Sequence, residues 1–91
     1  MNAIELLPVG TVVRVKDFEH AVMIYGIKQT HFQTNKEMDY IGVPYPEGYM
    51  GMDVQHLFNH SDINEVLFMG YETEERKVFL GQLDDYLKRQ G

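Results

Sequence analysis

Between Thr11 and Tyr71 the chain is a succession of short β-branched and apolar blocks separated by turns. Parallel neighbours need a crossover of about a dozen residues or more, so strands joined this closely can pair only antiparallel. Thr11 to Lys16 alternates apolar and polar positions, with Val13 and Val15 on one face and Arg14 and Lys16 on the other, the pattern of a half-buried strand. Ala21 to Ile27 is almost wholly apolar and reads as a central strand, with Gly26 marking a bulge or bend. A polar stretch with a hairpin tip at Thr34-Asn35-Lys36 leads to a third strand over Met38 to Val43. Val54 to Phe58 and Glu65 to Tyr71 complete a sheet of four to five strands, with the turn formers Asn59 to Asp62 between them.

The pattern changes after Tyr71. Thr73 is placed to cap a helix over about residues 74 to 89, with Glu74 and Glu75 in its first turn and Lys88 and Arg89 in its last, as the helix dipole favours. Phe79, Leu80, Leu83, Tyr86 and Leu87 form one apolar stripe. Gly81 on that helix predicts a close approach to the sheet. The expectation is a single α+β domain over residues 1–91, a bent antiparallel sheet or small open barrel carrying one C-terminal amphipathic helix.

The third strand runs straight into Pro44-Tyr45-Pro46-Glu47-Gly48-Tyr49-Met50-Gly51. Pro44 and Pro46 fix their own φ and extend the residues before them, while Gly48 and Gly51 can take positive φ and reverse the chain. Tyrosines and methionines crowd this stiff turn. It either folds back to cap the core with Tyr45 and Tyr49 or presents Tyr45, Pro46, Glu47, Gly48, Tyr49 and Met50 to a protein partner.

The chain has 91 residues, no Cys and no Trp, so its core is thin and unstapled. The net charge of -6 is uneven: residues 1 to 36 balance at +1 and residues 37 to 91 at -7. Without a clustered basic face, a nucleic-acid partner is not expected. No signal peptide or membrane-length apolar run is seen, so the expected location is cytoplasmic, without membrane insertion.

Catalytic signatures are missing as well. Ser61 lacks a nucleophile-elbow context, no glycine-rich phosphate loop is present, and Asp84 and Asp85 are adjacent on a helix and point apart. His56 and His60 have metalloprotease spacing only if helical, and Leu57 stands where that motif needs Glu. The chain is therefore read as non-enzymatic, with no cofactor and no metal. A small-ligand or metal-binding domain using the histidines and the tyrosine-rich turn is the alternative, and a homodimer through the aromatic turn stays open.

Several blocks together resemble a known pattern: Leu6-Leu7-Pro8-Val9-Gly10-Thr11-Val12-Val13, Met23-Ile24-Tyr25-Gly26, Asp39-Tyr40-Ile41-Gly42 with Tyr45-Pro46-Glu47-Gly48, Leu57-Phe58-Asn59-His60 with Asp62-Ile63, and Val66-Leu67-Phe68-Met69-Gly70-Tyr71. From about residue 6 to 87 the chain is similar to a small uncharacterised family of Gram-positive bacteria, encoded beside type VII secretion loci with LXG-domain toxins. The resemblance implies an accessory or targeting role in toxin export through contact with a toxin or a companion accessory protein. It brings no catalytic residues.

The lack of Cys and of a complete metal motif predicts that the histidines are not ligands. Added zinc should then raise the melting temperature little. Micromolar zinc binding that is abolished by His56→Ala with His60→Ala overturns this expectation.

Overall fold

The computed structural model describes residues 3–31 and 36–90. The strands are β1 (Val12–Val15), β2 (Ala21–His31), β3 (Lys36–Tyr45), β4 (His56–Phe58) and β5 (Ile63–Phe68), followed by the helix α1 (Glu74–Gln90). Single 3-10 turns occupy Ala3–Glu5, Met52–Val54 and His60–Asp62. The sheet is open, in the order β4-β3-β2-β1-β5, and every pairing is antiparallel. The α+β expectation holds in its open form: the sheet bends but does not close. Of the expected hairpin tip, Thr34 and Asn35 lie outside the described residues, as does the neighbouring Phe32.

The bend has a local cause. β2 and β3 pair as Ile24↔Gly42 and then Gly26↔Ile41, so Tyr25 is an extra residue, a bulge beside the expected Gly26. The slip resets the alternation along β2, putting Val22, Ile24 and Ile27 on one face with Tyr40 and Phe58. Val13 and Val15 share that face, as their spacing predicts, and all but the half-buried Ile27 are core residues. At Gly42 a Cβ would come within 2.4 Å of Val22 Cγ1 and 2.9 Å of the Met23 carbonyl, so β2 and β3 can pack this tightly only around glycine.

The core is finished by two segments outside the sheet. Ala3 and Leu6 of the N-terminal lead-in are buried in the same cluster, and Leu83 and Leu87 of α1 pack against it. Thr73 caps the helix through the Arg76 amide at 3.0 Å. The guanidinium of Arg76 donates to the Leu6 carbonyl at 2.6 Å, and the Ala3 amide donates to Asp84 Oδ1 at 3.0 Å, so lead-in and helix are tied at two points. Two helix expectations are corrected. The covered arc is narrower than expected, with Leu80 buried and Leu83 and Leu87 partly buried against the core, whereas Phe79 and Tyr86 on its flanks are exposed. Gly81 marks no close approach, since an added Cβ meets nothing within 4 Å.

The close approach lies at Gly70 instead. Its amide donates to Thr11 Oγ1 at 2.9 Å, and a Cβ there would meet the Val9 carbonyl at 2.6 Å and the Thr11 nitrogen at 2.9 Å. Those neighbours are backbone and cannot swing away. Gly70→Ala is expected to cost about 1–3 kcal/mol as overpacking. Gly81→Ala, on an open helical position, should instead stabilise by about 0.4–1 kcal/mol. Urea unfolding of both variants checks the pair, and equal effects of the two substitutions would contradict this packing.

Candidate protein-binding surface

The tyrosine-rich turn begins where β3 outruns its outer neighbour. β4 pairs only with Tyr40, Ile41 and Gly42, so Pro44, which has no N–H to give, sits beyond its reach while still facing Val22 of β2. The peptide between Tyr45 and Pro46 is cis. The Gly48 amide donates to the Pro44 carbonyl at 2.7 Å, and Gly48 and Gly51 take φ of 80° and 107°, the positive values their lack of a side chain permits. The hydroxyl of Tyr25 on β2 donates to the Gln55 carboxamide just before β4. Because β3 lies between β2 and β4, this bond spans β3. Val43, which pairs with Met23 on the face away from the core cluster, is buried.

The tyrosines of the turn do not cap the core. Tyr45 is 53% exposed and Tyr49 62% exposed, and Pro46, Glu47, Met50 and Met52 also face outward, with Gly48 half-buried. The turn is therefore exposed rather than folded back onto the core.

Beside the turn lies a feature that sequence reasoning missed. Val12, Ala21, Met23, Tyr45, Leu67 and Phe68 line an open groove of about 430 Å³. Val12, Met23 and Phe68 are register partners across β2, β1 and β5, so the groove occupies the face opposite the helix. None of its lining side chains is charged. The signal was present in Met23 and Tyr25, which alternate with the buried Val22 and Ile24, but an apolar run does not say which of its faces is covered.

His56 and His60 are held in the scaffold beside this surface. The ring of His56 lies 4.3 Å from that of Phe18, and burial, with a smaller effect of His20, lowers its pKa. His60 Nδ1 is 2.6 Å from the Tyr40 hydroxyl, and its amide donates to Asp39 Oδ2 at 2.9 Å. Asn59 and Asp62 close a reciprocal capping box around that turn. Lys28 pairs with Asp39 at 3.0 Å and Glu37 at 3.3 Å. Burial works to raise the Asp39 pKa, but the His60 amide and the Lys28 ammonium outweigh it and hold the carboxyl below its ordinary value. Among the described residues no group of three or more His, Asp or Glu is placed to hold a metal ion, and no helix is long and apolar enough to cross a membrane.

A five-stranded open antiparallel sheet with one helix on a single face, and an apolar and tyrosine-rich surface on the other, defines a small α+β domain. The chain belongs to the DUF4176 family, a domain of unknown function, which it matches over residues 6–79. No curated protein and no solved structure matches it.

Two groups give acid sensitivity of the same sign. Folded His56 takes up a proton less readily than its ordinary value of 6.5, so its contribution is unchanged well above that pH and falls as pH drops below it. The depressed Asp39 stabilises the fold above its ordinary value of 3.8 and loses that contribution as pH falls through its lower folded value. Compared with wild type, His56→Gln should therefore flatten the fall in melting temperature just below 6.5, and Asp39→Asn the part below 3.8. Superimposable pH profiles for wild type and His56→Gln would contradict the first assignment.

Proposed function

We propose that this chain is a non-enzymatic protein-interaction module that binds through the turn Tyr45–Met50 and the apolar sheet face beside it. The observation that carries this reading is the outward presentation of Tyr45, Tyr49 and Met50 on a proline- and glycine-fixed turn adjoining an uncharged groove. Tyr and Met are enriched at interface cores, and a backbone already fixed loses less entropy on association. With the resemblance to the family encoded beside type VII secretion loci, the proposed partner is an LXG-domain toxin or a companion accessory protein. The role is that of an accessory or targeting factor in toxin export, acting in the cytoplasm before export.

A small apolar ligand is the second reading, favoured by the volume of the groove, which lies within the range of about 300–1,000 Å³ typical of ligand pockets. Native mass spectrometry of the purified protein separates the two. A stoichiometric bound molecule supports the ligand reading. An empty protein that captures the co-expressed toxin supports the module.

Tyr49 is the single best anchor, because it is exposed between Gly48 and Gly51 and is not part of the core cluster. Tyr49→Ala is expected to weaken capture of the toxin by about 2 kcal/mol or more, the usual threshold of a hot spot, with the melting temperature nearly unchanged. Equal capture by wild type and variant sinks the proposal. Lost capture with a large fall in melting temperature would return Tyr49 to a structural role.

A further inference from the structure

The two edges of the sheet are treated differently. β4, at one end, is three residues long, and a short edge strand is one way to limit unwanted pairing. β5, at the other end, is six residues, Ile63–Phe68, and pairs only with β1. Every residue from Asn64 to Met69 is exposed, including Val66 at 41% and Phe68 at 64%, so among the described residues neither the helix nor a loop covers this edge. The strand has no Lys, Arg or Pro to guard it, and Glu65 is its one charge in a chain of net charge -6. It is thus the place where two copies of an acidic chain can approach with little like-charge opposition.

We propose that β5 pairs antiparallel with β5 of a second copy, joining the two sheets into one. Antiparallel pairing of identical edges requires a two-fold axis normal to the sheet, and each copy then offers the other the same row of backbone donors and acceptors. The register follows from the bulges. β1 and β5 pair as Val15↔Ile63, Arg14↔Glu65, Val13↔Val66 and Val12↔Phe68, so Asn64 and Leu67 are the extra residues and Glu65-Val66 is the regular stretch between them. Around the axis a residue must oppose its own copy, since directly opposite residues share a face. Glu65 against Glu65 sets like charges opposite one another and is disfavoured, which leaves Val66 against Val66.

The arrangement bears on the binding surface. A two-fold normal to the sheet keeps both helices on one side and both grooves on the other. Leu67 and Phe68, which line the groove, lie next to the axis, so the two grooves meet across it. The dimer therefore presents both grooves on one face, with Glu65 of each copy opposite the partner's Leu67 beside the axis and a tyrosine turn on each outer side, a bivalent form of the surface proposed above. A strand pair with its flanking side chains is small beside the roughly 800 Å² per partner of a standard interface, so the association is in the micromolar range.

Sedimentation velocity on the wild type, from about 5 to about 500 μM, should show a concentration-dependent shift from monomer towards dimer. Val66→Lys, which opposes two ammonium groups, should weaken the dimer by about tenfold or more without lowering the monomer's melting temperature, whereas Tyr49→Ala should leave it unchanged. Because the chain has no Cys, Val66→Cys also offers a direct probe. Opposed antiparallel residues have Cα atoms about 4.5–5.5 Å apart, within disulfide range, so a mild copper oxidant should give a covalent dimer, while Val78→Cys on the exposed helix face should not. A monomer at every concentration, or a dimer lost with Tyr49→Ala but not with Val66→Lys, overturns the proposal. Absence of the Val66→Cys cross-link in an associating protein overturns the register and with it the edge pairing. Toxin capture by a protein that stays monomeric would leave the binding reading standing while this one fails.

Discussion

The fold depends on what happens at the Tyr40 hydroxyl. The ring of Tyr40 is fully buried beside Phe58, with centroids 5.5 Å apart, and its oxygen lies at the junction of three segments. The Leu7 amide donates to it at 3.0 Å, and His60 Nδ1 lies 2.6 Å away. A hydroxyl that accepts from an amide still has its own proton to give, so the geometry suits a His60 whose Nδ1 accepts. Burial raises the Tyr40 pKa, keeping that proton in place. One side chain on β3 thus fastens both the N-terminal lead-in and the turn between β4 and β5 to the middle of the sheet. Left unpaired, a buried hydroxyl costs about 1–3 kcal/mol, so the three segments hold together or loosen together.

That fastening decides which face of the sheet is covered. With Leu7 held at Tyr40, Leu6 enters the core cluster, and Arg76 and Asp84 then draw α1 onto the lead-in through Leu6 and Ala3. The helix is consequently committed to one side. Among the described residues there is no second α-helix to roof the other.

The antiparallel sheet, the terminal helix and its Thr73 cap were legible in the sequence because each rests on local information, periodicity and short turns. The apolar lead-in was not legible as core, since Leu6 and Ala3 have no periodic context and their partners on α1 lie far along the chain. The reach of β2 to His31 and of β3 back to Lys36 was also hidden, because their polar ends read as loop, yet Gln29, Thr30 and His31 pair with Met38, Glu37 and Lys36. Gly81 and Gly70 exchanged meanings for a similar reason: a helical glycine attracts notice, but only the tertiary approach of Val9 and Thr11 gives a glycine its necessity. At the surface, Tyr45 to Met50 stood out by composition, whereas Leu67 and Phe68 looked like any buried strand until the missing cover on β5 became visible.

β3 connects these two levels of organisation. Tyr40, Gly42 and Pro44 point to the covered face, while Ile41, Val43 and Tyr45 point to the other, so the strand that carries the central buried hydroxyl also carries the first tyrosine of the exposed turn. Its register is held on both sides, by β2 along nearly its whole length and by β4 at Tyr40 to Gly42. A slip of one residue would exchange the faces, burying Tyr45 and exposing Tyr40, and would break the contacts with Leu7 and His60 at the same time. The presentation of the tyrosine turn is therefore enforced from the core side of the same strand. A rigidly mounted aromatic side chain gives up little conformational freedom when a partner closes over it.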